Sequence, residues 1–197
     1  VDRLFGVVQP AKYHPEIDTG VHTLMVLEQA ARLSPLPIVR FAALVHDLGK
    51  ALSPHPPLHT GHEAAGAGLI ESLAVRLRVP KDFSDLGILV SLQHTRCHRA
   101  DRHEAEDLFL TLELCDALRR PERFGLFLLA CEADARGRLG LENAPYPQAG
   151  ILRGALAAAK AVDIRPLVAE HTNPKALVPA IRAARIAAID AARITQA

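Results

Sequence analysis

The stretch from Phe41 to Lys50 constrains the fold more than any other. Phe41, Leu44, Val45 and Leu48 recur at i, i+3, i+4 and i+7, which is one apolar face of a helix. Gly49 stands where a left-handed cap would end that helix. His46 and Asp47 sit at its lip and point about 100° apart around the axis. Ala42 and Ala43, one turn back, leave space beside both side chains, and Lys50 follows. Two readings stand for this stretch alone. One is a capped helix end whose Asp47 pairs with Lys50; the other is a metal-and-phosphate corner.

The rest of the chain reads as helices cut by proline and glycine. Ala and Leu dominate and aromatics make up 4% of the 197 residues, which favours helix over strand. The breaks predict helices over about 19–33, with Thr19 as cap, then 38–48, 62–78, 82–96, 105–120, 121–138, 148–161 and 178–194. The expectation is an all-α fold: a helical bundle over 1–120, then a smaller helical body or tail over 121–197. Residues 51–60, with His55 and His59, read as a loop. A formal charge of +1 excludes a global attraction to nucleic acid or anionic membrane, so any such binding needs a local patch. No apolar run is long enough to span a bilayer. Cys97, Cys115 and Cys131 form no CxxC and cannot all pair internally, which suits a reducing, cytoplasmic setting.

Several polar residues fall where an apolar pattern does not want them. His22 lies on the first helix beside Met25 and Val26, as either a satisfied semi-buried histidine or a ligand. His59 and His62 flank the start of the third helix, where a site role fits His62 and not His59. His94 lies near the end of the fourth. The basic stretch 95–103 is an exposed loop or a phosphate-attracting rim. Asp116 sits in the apolar run Leu108–Leu118 and needs a partner: Arg119, Arg120 or a metal. Glu132, Asp134, Arg136 and Arg138 form two i, i+4 pairs expected on a solvated face. Together, His22, His46-Asp47 and Asp116, with His62 and His94 as further candidates, suit Mn, Fe, Co, Ni or Zn; magnesium prefers more oxygen. Such an ion would polarise a phosphoryl oxygen and activate water, with Lys50 neutralising phosphate charge.

The order His22, His46-Asp47, Asp116 on helices resembles the HD superfamily of metal-dependent phosphohydrolases, and His46-Asp47-Leu48-Gly49-Lys50 is close to its signature. Arg3-Leu4-Phe5-Gly6, Gln9-Pro10-Ala11-Lys12, His14-Pro15-Glu16-Ile17-Asp18-Thr19-Gly20 and Glu132 to Arg138 are similar to the C-terminal part of bacterial multifunctional CCA-adding enzymes, the tRNA nucleotidyltransferases. The resemblance implies an all-helical fold. It implies phosphatase, 2'-nucleotidase and 2',3'-cyclic phosphodiesterase activities that depend on a divalent metal: nickel, manganese, cobalt or magnesium. Its expected ligands are His22, His46, Asp47 and Asp116, with His62 and His94, and Asp47, Lys50 and His94 acting on substrate. It also implies tRNA as a partner, with Arg136 and Arg138 facing RNA or locking the helices together; a homodimer is left open.

Two departures from the family pattern matter. Neither the Gly-Ser nor the Asp-x-Asp pair of nucleotidyl transfer is present, so no CCA addition is expected. Thr95 follows His94 where relatives often carry a second His-Asp. That opens an alternative reading, a tRNA-binding scaffold whose hydrolase site is weakened.

Overall fold

A computed structural model describes residues 1–53 and 56–196. It is all-α: no strand occurs among the described residues, only an isolated antiparallel bridge between Val8 and Asp18. His55 lies outside the described residues. The helices are α1 (Thr19–Leu33), α2 (Pro37–Val45), α3 (His62–Leu77), α4 (Lys81–Cys97), α5 (Ala105–Leu114), α6 (Pro121–Arg136), α7 (Pro147–Ala161), α8 (Arg165–Glu170) and α9 (Pro174–Gln196). None is long and apolar enough to cross a membrane among the described residues.

Most boundaries follow from local chemistry. Asp18, not Thr19, caps α1; its side chain accepts the Val21 amide at 2.9 Å. Pro37, Pro121, Pro147 and Pro174 each stand at the first position of a helix, where a missing N–H costs nothing. The second helix stops at Val45, three residues early, and Leu48–Leu52 forms a 3-10 turn. Gly49 is therefore not a left-handed cap. A Cβ on Gly49 would overlap the His62 carbonyl and stand 2.6 Å from the Gly66 amide, so the glycine lets the turn press against α3. The next-to-last prolines mislead: α9 starts at Pro174 and carries Pro179 inside it, and α8 is an addition to the expected set.

The chain forms two compact units, and they do not divide at 120. One takes Val1–His98 with Glu122–Tyr146; the other takes Arg99–Pro121 with Pro147–Ala197. In the first unit, Leu4, Val45, Leu48 and Ile70 form a buried cluster wrapped by Phe41, Leu44, Leu69, Leu73 and Ile88. The expected face of α2 is thus the packed one. In the second, α5, α7 and α9 pack together; Arg182 of α9 pairs with Glu106 and Glu113 of α5, and Arg193 with Glu104 just before it.

Candidate metal centre

Four imidazoles of the first unit share one arrangement. His46 Nδ1 lies 2.7 Å from the Ala43 carbonyl, His62 Nδ1 lies 2.8 Å from the His59 carbonyl, and His94 Nδ1 lies 2.9 Å from the Val90 carbonyl. His22 Nδ1 lies 3.0 Å from the Gly137 carbonyl. A carbonyl oxygen can only accept, so each Nδ1 carries a proton, and in the neutral ring each Nε2 keeps a lone pair. Those lone pairs converge on two carboxylates. His22 Nε2 is 3.0 Å from Asp134 Oδ1 and 3.9 Å from Asp47 Oδ2; His46 Nε2 is 3.1 Å from Asp47 Oδ2 and 3.5 Å from Asp134 Oδ1. On the other side of Asp47, its Oδ1 faces His62 Nε2 at 3.5 Å and His94 Nε2 at 3.8 Å.

The donor set fits a divalent cation. Lone pairs turned on buried carboxylates repel unless protons or a metal ion lie between them. Among the described residues, His46 Nε2, Asp47 Oδ1 and His62 Nε2 are buried with no hydrogen-bond partner. Protons cannot serve all four rings. Burial opposes the charge on His46, yet Asp47 and Asp134 outweigh it and push that imidazole up to about 10; burial pushes His94 down to about 4 against the same two carboxylates. Burial also opposes the charges on Asp47 and Asp134, but the surrounding imidazoles, with Lys50 beside Asp47, hold both well below the usual carboxylate range. His22, His46 and Asp134 form one group whose ligand atoms lie within 4.8 Å of one another, and Asp47, His62 and His94 form a second.

The expected residues fall out unevenly. His22, His46, Asp47, His62 and His94 come together. Asp116 belongs to the second unit, where its carboxylate accepts from Arg119 at 2.9 and 2.8 Å, with Arg120 3.5 Å away. α5 ends at Leu114 and Asp116 adopts a left-handed φ of 53°, so the apolar run does not carry it inward. Asp134 stands in the group instead. Arg136 pairs with Glu132 at 2.9 Å as expected, but Asp134 is 4% exposed and pairs inward rather than with Arg138. Phe127, Ala130, Cys131 and Asp134 recur at i, i+3, i+4 and i+7, an apolar face that could have revealed it. His98, also unforeseen, holds Asp134 Oδ2 at 2.6 Å and meets the Tyr146 hydroxyl at 2.9 Å.

Lys50 is buried, and its ammonium donates to Asp47 Oδ2 at 2.7 Å and Gln9 Oε1 at 2.6 Å, so the Asp47–Lys50 pair forms within the same cluster as His46. Thr95 donates to Glu63 Oε1 at 3.1 Å and stands 3.4 Å from His94 Nε2. The position without an acid therefore has a neighbouring helix's carboxylate beside it. Arg136 donates to the Ala144 carbonyl at 3.0 Å, so it is engaged within the fold.

Fold and site together define an all-helical domain that gathers imidazoles and carboxylates into groups able to hold a metal ion. The HD domain family model matches residues 19–122, and the chain belongs to that family. Asp116 lies inside the match; Glu16 and Asp134 lie outside it. The chain is 52% identical over 191 residues to the multifunctional CCA protein of Thioalkalivibrio sulfidiphilus, covering 96% of this chain and 47% of the relative. It is 53% identical over 193 residues to that of Ralstonia nicotianae, covering 96% and 45%. It is 50% identical over 193 residues to that of Vibrio cholerae, covering 97% and 48%. The chain spans about half the length of these curated relatives. No solved structure matches it.

Proposed function

We propose that this chain is a metal-dependent phosphohydrolase domain, acting on 2',3'-cyclic nucleotides and phosphorylated RNA ends, within a protein of the multifunctional CCA kind that takes tRNA as partner. The observation that carries this reading is the four Nε2 atoms turned on Asp47 and Asp134. His22, His46, Asp47 and Asp134 would hold an ion, and His62 and His94 with the second oxygen of Asp47 would hold another or line the pocket. A bound divalent ion supplies Lewis acidity toward a phosphoryl oxygen and activates water near neutral pH. Lys50 draws charge from Asp47 Oδ2 and fixes its plane, which leaves Oδ1 for the His62–His94 side. Glu63, held by Thr95, adds a half-buried carboxylate at that side for accepting or returning a proton.

Hydrolysis of 2',3'-cyclic AMP with added Ni²⁺ or Mn²⁺ tests this against Asp47→Asn. Turnover lost in the variant supports it, and equal rates end it. Thr95 favours a second reading, a tRNA-binding scaffold with a weakened site. It expects salt-dependent tRNA binding that Asp47→Asn leaves intact and no turnover in either protein.

A further inference from the structure

The geometry points to Glu16 as a positioning residue of the metal centre: delivered by the segment before α1, its carboxylate holds His22 with Nε2 turned toward Asp134 and Asp47. The inference rests on the metal reading above. Glu16 lies outside the matched family region, in a stretch with no helical periodicity, yet its side chain is 2% exposed. Oε1 is 3.0 Å from Nδ1 of His22 and 3.0 Å from Nδ1 of His14, and Oε2 accepts the Leu139 amide at 3.3 Å.

The segment is built to aim this side chain. Ile17, next in sequence, takes a left-handed φ of 61°, a conformation a β-branched residue resists. Gln9 donates its amide to the Ile17 carbonyl at 2.7 Å, Gly6 donates to Asp18 Oδ2 at 2.6 Å, and Thr19 Oγ1 donates to the Val7 carbonyl at 2.8 Å. These bonds fix the turn, and the turn points Glu16 at His22. On His46 and His94 the Nδ1 partners are backbone carbonyls alone, whereas His22 Nδ1 has the Glu16 carboxylate beside the Gly137 carbonyl, each at 3.0 Å. A carboxylate on Nδ1 locks the tautomer more firmly and makes Nε2 a better donor to a cation.

The test is Glu16→Gln in the full chain, stripped with chelator and titrated calorimetrically with Ni²⁺. Glutamine keeps an oxygen for the Leu139 amide but removes the charge. The expected result is an affinity for Ni²⁺ weakened roughly 10- to 100-fold. Unchanged affinity overturns the inference even if the metal-free melting temperature falls, because Glu16 is then a tether. Should the variant not fold, ¹H spectra of the unmodified chain decide: a His22 Nδ1 proton resonating well downfield of those of His46 and His94 supports a carboxylate partner, and one in their range leaves only the Gly137 carbonyl and overturns the role. No Ni²⁺ binding by the unmodified chain removes the metal reading and the role of Glu16 with it, an outcome distinct from a loss confined to the variant.

Discussion

Exchanging Asp134 and Asp116 in turn for asparagine separates the structural ligand set from the one the sequence pattern suggests. Asp134 is 4% exposed and its Oδ1 faces two imidazole nitrogens at 3.0 and 3.5 Å. Two unit charges about 4 Å apart interact by about 4 kcal/mol at an effective dielectric near 20, so a divalent ion beside a carboxylate gains about 8 kcal/mol. Asparagine keeps one ligand oxygen and spares the several kcal/mol of burying a charge. The net loss is then about 3–5 kcal/mol, roughly 10²- to 10⁴-fold in metal affinity. Asp116 is another matter. Its side chain is 31% exposed on Arg119, a surface pair worth about 0.2–1 kcal/mol, and asparagine tolerates the left-handed backbone there. Calorimetric titration of both chelator-stripped variants with Ni²⁺ or Mn²⁺ reads the difference directly. Asp116→Asn abolishing binding while Asp134→Asn preserves it would refute the ligand assignment.

Saturating the site with metal at about 100 times its dissociation constant should stabilise the fold by about 2.7 kcal/mol, a rise in melting temperature of several degrees that chelator reverses. Gly49→Ala should destabilise by about 1–3 kcal/mol, because the added methyl meets the backbone of α3 and not a movable side chain; chemical denaturation measures it. Thr95→Asp should lower the melting temperature and give no gain in turnover, since it sets a second carboxylate against Glu63 at a cost of about 1–4 kcal/mol, and adding Glu63→Gln should restore it.

What could be read in the sequence was what periodicity carries. The face Phe41, Leu44, Val45, Leu48 is packed as expected, and it brings His46 and Asp47 to the buried side. His22 was legible as a histidine on an apolar face. Asp134 was not, because the i, i+4 charge pattern matches it to Arg138 while its place after Phe127, Ala130 and Cys131 puts it on an apolar face. At Asp116 pattern and backbone part: a carboxylate in an apolar run looks buried only if the helix continues through it, and α5 ends at Leu114. Gly49 shows a third limit. Sequence offers a cap or a close approach for a glycine, and only the position of the His62 carbonyl decides between them.

The centre is completed by a joint between distant parts of the chain. His46, His62 and His94 take their orientation from carbonyls three or four residues back, so a local turn is enough to aim them. His22 is aimed from further off. Its Nδ1 lies between the Glu16 carboxylate and the carbonyl of Gly137, 115 residues away, and its Nε2 meets Asp134. Gly137 lacks a side chain where one would stand 2.7 Å from the Val26 Cα, which lets the end of α6 close on α1 and sets the carbonyl on His22. An ion held by His22, His46 and Asp134 would therefore bridge α1, the end of α2 and α6, and its binding energy would go into holding those three elements together. Metal binding and the docking of α6 would then be one equilibrium.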